Sequence, residues 1–245
     1  IHIYGLPVDM GAIYKIAKKH NIKVIEDAAE AIGLKYKGQE CGSFGDISTF
    51  SFYPNKHITT GEGGMVLTDD PYVAERCRKL RNLCFVPERR FVHEELGWNY
   101  RLTNMQAAIG LAQLEKIDEH LDKKRHIGQY YNTLLDGISG VQLPIPSVPS
   151  AENIYWVYGL VINEGTDLTP AEVMEKLVKR KIGTRPFFWC MHEQPVFKRM
   201  GLFLNESCPN AEKLARRGFY VPSGLALTND QQKYVASSLK EIFDA

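Results

Sequence analysis

A strand, a helix and a second strand follow one another at the start of the chain, and that order restricts the fold more than any other feature. Ile1-His2-Ile3-Tyr4 reads as a short apolar strand broken by Gly5-Leu6-Pro7. Asp9 can cap a helix to about His20, with Met10, Ile13, Ile16 and Ala17 at helical spacing. Ile22-Lys23-Val24-Ile25-Glu26 returns to a strand. Strands joined this way lie parallel, with a right-handed crossover. The opening residues form a core strand with no initiating Met and no polar lead-in, so the chain is expected to continue upstream.

The second strand runs into Asp27-Ala28-Ala29-Glu30-Ala31. In open α/β sheets ligands sit at the carboxyl ends of strands, which puts Asp27 where chemistry happens. Asp27 is equally suited to cap a helix opening at Ala28. Further on, Ser48 to Phe52 alternate polar and apolar, as a half-buried strand does. A Pro54-Asn55 turn stops it, Lys56 follows at once, and the glycine-rich run Gly61 to Gly64 leads into a strand from Met65 to Thr68. One lysine is thus held between two short strands. Burial lowers a lysine's pKa, and a neutral amine attacks carbonyls to form a Schiff base. By itself the pattern also describes a surface lysine after a hairpin.

The rest of the chain alternates in the same manner. Leu34 to Gly45 reads as a loop or small hairpin, and Asp69 or Asp70 opens a helix to about Leu80. Arg81 to Gly97, with Arg89-Arg90, His93 and Glu94-Glu95, reads as an exposed or interfacial loop. Thr103 and Gln106 form a capping box for a helix that buries Met105, Ala108, Ile109 and Ala112, followed by a long helix over 115–135. Residues 137–149, rich in Gly, Pro and Ser, mark a linker between a large domain (1–136) and a smaller α+β domain (150–245). In that second part Ile154 to Ile162 is a strand, and Thr169 caps a helix to about Arg180. An edge strand lies near 182–186, and helices cover 211–217 and 228–243.

Net charge is +1, so no strong field draws nucleic acid or an anionic membrane. No apolar run has the length of a membrane span. Five scattered cysteines, odd in number and without CxxC spacing, argue against a disulfide framework or zinc site and fit a cytoplasmic home; no metal is expected.

Four linked stretches carry a resemblance: Glu26 to Ala31; Ser48 to Phe52 with Asn55-Lys56; Gly61 to Met65; and Gly97-Trp98-Asn99-Tyr100-Arg101 with Gln106-Ala107-Ala108. Together they closely resemble the DegT/DnrJ/EryC1/StrS sugar aminotransferases, pyridoxal-phosphate enzymes of fold type I. Thr184-Arg185-Pro186, His192 and Pro195 look most like the GDP-perosamine synthase branch. The resemblance implies an α/β fold: part of a fold type I large domain, with a mostly parallel sheet and flanking helices, plus the smaller α+β domain. Members carry a further segment ahead of the stretch that starts here, about a third of their length, holding the other half of the cofactor site.

The resemblance also implies roles. Lys56 matches the lysine that binds pyridoxal 5'-phosphate covalently and shuttles a proton, and Asp27 the partner of the pyridine nitrogen. Ser51 matches a phosphate ligand, Glu30 a side chain near the ring hydroxyl, and Asn99 a residue reaching the phosphate across a homodimer interface. Arg101, Arg185 and His192 are substrate-binding candidates, since an arginine fork suits carboxylate or diphosphate. The implied reaction moves an amino group from glutamate to a nucleotide-linked 4-keto-6-deoxy sugar for surface polysaccharide, with GDP-4-keto-6-deoxymannose as first choice. Two alternatives are a sugar dehydratase, in which relatives replace the lysine by histidine, and a truncated chain serving as a dimerisation or binding module.

Overall fold

The computed structural model describes residues 1–86, 89 and 91–244. Its chain forms two compact units: Ile1–Asp122 with Ser147–Trp156, and Lys123–Pro146 with the chain from Val157 onward. The division therefore falls at residue 122 and again after Trp156. The Gly- and Pro-rich stretch 137–149 is shared between them, giving a strand (Val141–Gln142) to the second unit's sheet and one side of a hairpin (Ser147–Val148 with Ala151–Glu152) to the first.

In the first unit, helix α1 (Met10–His20) starts where Asp9 accepts a hydrogen bond from the Ala12 N–H. Met10 and Ala17 are buried, whereas Ile13 and Ile16, expected in the core, face outward. The expected strand at Ile1–Tyr4 is not formed. Positive φ at Tyr4 and Gly5 folds those residues into a turn with a single Ile3–Leu6 bridge, and only the His2 N–H reaches the Asp27 carbonyl. The second expected strand is shorter too: β1 spans Ile25–Asp27.

A hairpin follows, Lys35–Tyr36 (β2) with Gln39–Glu40 (β3), turned by Lys37 and Gly38 at positive φ. Strand β4 (Ile47–Ser51) lies parallel to β1, and β5 (Gly64–Leu67) lies antiparallel to β4, giving the order β1-β4-β5. Asp27 is thereby set beside Thr49. Met10, Ala28, Ala31, Leu34, Tyr36, Cys41, Leu121 and Ile154 form a buried apolar cluster, with Val24 and Phe50 packed against it.

Helix α2 (Pro71–Leu80) is capped by Asp70, one of the two expected openings, with proline in its first turn. Within the loop that follows, Arg90 lies outside the described residues, while Arg89, His93, Glu94 and Glu95 are exposed. Helix α3 (Asn104–Leu114) has the expected Thr103/Gln106 capping box but the opposite orientation. None of Met105, Ala108, Ile109 and Ala112 is buried; Met105 is 77% exposed. The helix instead docks by its polar side. Gln106 Nε2 donates to the Glu62 carbonyl (3.0 Å), and Gln113 bridges the Thr59 carbonyl (2.7 Å) and N–H (3.1 Å). These amides fix the glycine-rich loop, a demand apolar periodicity cannot register.

The second unit is built on an antiparallel sheet. Its order is Arg185–Pro186, Gly218–Val221, Tyr158–Ile162, Val141–Gln142, so Arg185 is on the expected edge strand. Helices Pro170–Lys179 and Asn229–Phe243 both carry capping boxes, at Thr169/Glu172 and Thr228/Gln231. Tyr131, Tyr158, Leu160, Phe219, Leu177 and Leu239 are fully buried in its core. Burial of large apolar side chains is worth about 1.5–3 kcal/mol each, so this core carries the unit.

Candidate active site

Strand β4 delivers the lysine. After Ser51 the chain leaves the sheet, and the loop from Tyr53 to Thr59 is closed at its base. The Phe52 carbonyl accepts both the Thr60 N–H (3.0 Å) and the Thr59 hydroxyl (2.8 Å), and the Lys56 N–H returns to the Tyr53 carbonyl (3.0 Å). The Lys56 side chain turns inward and keeps 11% of its surface exposed. Its Nζ lies 3.5 Å from Glu30 Oε1 and 4.2 Å from the ring centre of Trp156. Burial pulls the amine below its ordinary value, with the charges of Glu30 and then Asp27 pushing back. Burial likewise raises the Glu30 carboxyl, against the Tyr4 N–H (3.0 Å) and Lys56. A buried amine paired with a buried carboxylate is a strained charge state, typical of groups that exchange protons.

Asp27 closes β1. Residues 28–33 are turns and not a helix, so the capping alternative is not realised; Asp27 Oδ1 accepts the Ala29 N–H at 3.0 Å. The Asp27 charge acts on both Lys56 and Glu30. Its neighbour Glu26 is structural. One oxygen accepts His2 Nε2–H (2.7 Å) and the Gly42 N–H, the other the Phe44 and Gly45 N–H groups and the Ser48 hydroxyl. His2, Glu26 and Cys41 could be mistaken for a metal site. However, His2 Nδ1 accepts the Val8 N–H, which places the ring proton on Nε2 toward Glu26 and leaves no nitrogen lone pair for a cation.

The structure thus gathers Lys56, Glu30 and Asp27, with Ser51 closing β4, the strand that leads into the lysine's loop. Ser51 Oγ accepts the Tyr53 N–H at 3.3 Å and retains a proton to give. Asn99 and Arg101 are exposed in the same unit and bond each other (3.4 Å). Arg185 and His192 belong to the second unit. Arg185 is exposed and donates to the Thr184 carbonyl (3.0 Å), and His192 is held by Glu212 (2.9 Å).

Trp156 is the residue that sequence reasoning missed. Ile154 to Val157 were expected to be strand, but the strand starts at Tyr158. Asn153 Oδ1 accepts the Tyr155 N–H (2.7 Å), Tyr155 takes φ +48, and the indole is turned onto the lysine. An aromatic run gives no hint of that turn.

The donor set — a buried amine beside a carboxylate, a second carboxylate at a strand end, a hydroxyl and a backbone turn — fits a phosphorylated pyridine aldehyde. GDP-perosamine synthase of Escherichia coli O157:H7 is 40% identical over 243 residues, covering 99% of this chain and 64% of that protein. A putative pyridoxal phosphate-dependent aminotransferase, EpsN of Bacillus subtilis, is 35% identical over 99% of this chain and 62% of its own length. The solved structure of DesV from S. venezuelae matches with a TM-score of 0.86 at 31% identity, over 100% of this chain and 64% of that one. The chain therefore spans somewhat under two thirds of the relatives it matches. Residues 1–240 match the DegT/DnrJ/EryC1/StrS aminotransferase family, and the chain belongs to that family.

Proposed function

We propose that this chain carries the catalytic lysine of a pyridoxal-phosphate-dependent sugar-nucleotide aminotransferase. The amino donor is glutamate and the acceptor a nucleotide-linked 4-keto-6-deoxy sugar, as in GDP-perosamine synthesis. The observation that carries this reading is the Lys56–Glu30 pair: an amine lowered by burial, at the carboxyl end of the sheet, with Asp27 acting on it. Similarity to GDP-perosamine synthases supports the choice of acceptor.

When bound, the cofactor supplies an electron sink for carbanion chemistry. The chain supplies the remainder. Lys56 would hold the aldehyde carbon and, once released, move a proton at its Nζ. Glu30 takes up or returns charge beside it. Asp27 would keep the pyridine nitrogen protonated, and the Ser51 hydroxyl would donate to the phosphate. Asn99 would reach the phosphate of a second copy. The uncovered apolar face of α3, with Met105 and Ile109 exposed, is suited to such a homodimer. Arg101 and Arg185 offer forks for the donor carboxylate or the diphosphate, and His192 a polar contact to the sugar. No helix among the described residues is long and apolar enough to cross a membrane, and the scattered cysteines favour a reducing, cytoplasmic setting.

The test is amino transfer from nitrogen-15 glutamate to GDP-4-keto-6-deoxymannose, read by mass spectrometry of the sugar nucleotide. Label in the product, lost in Lys56→Ala, is expected. Bound pyridoxal phosphate without any transfer from glutamate would overturn the reading.

A further inference from the structure

Lys56 is held by more than its carboxylate. The Trp156 ring centre is 4.2 Å from Nζ, inside the range at which a cation is attracted to an aromatic face, and tryptophan is the strongest such partner. The ring is fixed from several directions. Its Nε1–H donates to the Asn55 carbonyl at 3.0 Å, one residue before the lysine. The Tyr4 ring stacks near it, 6.0 Å between centres. The preceding backbone is pinned as well: the Ile154 N–H bonds the Gly5 carbonyl (3.1 Å), and its own carbonyl meets the His57 ring (3.3 Å). A Cβ on Gly5 would lie 2.7 Å from the Tyr155 nitrogen, so this approach requires glycine, which also has φ +94. Residues 153–156 therefore grip the chain on both sides of Lys56.

We infer that Trp156 is a positioning residue for Lys56, its indole face seating the ammonium form and its N–H tying the ring to the loop that carries the lysine. The chemistry gives this a purpose. A lysine that shuttles protons must pass between charged and neutral forms while staying in one place. Burial favours the neutral form, and Glu30 favours the charged one but can itself take the proton. An aromatic face favours the charged form without competing for the proton. It therefore moderates the effect of burial and leaves Glu30 free to exchange.

The inference rests on Lys56 being the site's nucleophile, but its test uses neither cofactor nor substrate. The full chain is treated with trace acetic anhydride across a pH series, and the acetylated Lys56 peptide is quantified. This gives the pH midpoint of the amine. Trp156→Phe and Trp156→Leu both lose the N–H bond to Asn55 and differ in the aromatic face. The expected midpoints fall in the order wild type, Phe, Leu, over roughly half to one pH unit. Coincident midpoints in the two variants, or a rise, would overturn the inference. If Trp156→Leu does not fold, fluorinated tryptophans keep the shape and the N–H while weakening the ring's negative face. The chain has three tryptophans, but the readout is one peptide. A midpoint falling with fluorine number supports the role, and a flat series refutes it. Failure of pyridoxal phosphate to trap Lys56 while the midpoint order holds would sink the proposed function alone.

Discussion

Glu26→Gln is a severe test of how this site is built, because the change keeps size and shape. Both carboxylate oxygens are surrounded by donors: His2 Nε2–H and the Gly42 N–H at one, the Phe44 and Gly45 N–H groups and the Ser48 hydroxyl at the other. Glu26 is 3% exposed, so water cannot take over. Whichever way a glutamine amide is turned, its NH2 faces at least one backbone N–H, and that oxygen's acceptor capacity is lost. The His2 ring cannot adapt, since its other nitrogen already accepts from Val8. Each buried donor left unpaired costs about 1–3 kcal/mol, so a loss of about 3–5 kcal/mol is expected. That is a large part of the roughly 5–15 kcal/mol typical of a folded domain. The pH dependence follows. Burial raises the Glu26 carboxyl, but the hydrogen bonds from Gly42, His2, Gly45 and Phe44 outweigh it and hold the group below its ordinary value. Its stabilisation is thus complete above the ordinary carboxylate pKa and is lost as pH falls through the folded one. Urea denaturation of both proteins, with hydrogen exchange over residues 41–48, measures the effect. A variant within about 0.5 kcal/mol of wild type, with that segment equally protected, would refute the reasoning.

Three further outcomes are expected. Lys124 is 6% exposed, donates to the Ser223 carbonyl (2.7 Å), and is pulled by burial down to about 7. The unfolded chain then binds a proton that the native one does not, so stability should fall as pH drops from about 10.5 to about 7, by up to about 1.4 kcal/mol per unit. Lys124→Met should flatten that slope in urea titrations, and identical slopes would contradict the assignment. Gly42→Ala puts a Cβ within 2.0 Å of Phe50 Cζ at φ +91, and should destabilise by about 2 kcal/mol or more by the same assay. Ile109→Lys, on the exposed face of α3, should leave the urea midpoint within about 0.5 kcal/mol of wild type while lowering self-association in sedimentation velocity.

The sequence made some of this legible because local chemistry sufficed. Asp9, Asp70, Thr103, Thr169 and Thr228 cap their helices by contacts a few residues away; four were read directly, and Asp70 was one of the two candidates left open with Asp69. The strand, turn and glycine run around Lys56 could be read locally, but by themselves they also describe a surface lysine, and it was the family resemblance that singled Lys56 out. What stayed hidden depends on partners distant in sequence. The inward side of α3 is set by amides that reach back to Thr59 and Glu62. Trp156 meets Asn55 across about a hundred residues, through a turn at Tyr155 that an aromatic, β-branched run does not announce. Strand Gly218–Val221, central to the second sheet, was missed because it directly follows a helix that ends at Arg217, with no turn signal between them.

The proposed role of Lys56, the amine that would take the cofactor, can be tested directly. The full chain is mixed with pyridoxal phosphate, reduced with borohydride and mapped by mass spectrometry. One stoichiometric adduct on Lys56, absent in Lys56→Ala and weakened in Asp27→Asn, is expected. Label spread over the exposed lysines, with Lys56 unmodified, would contradict it.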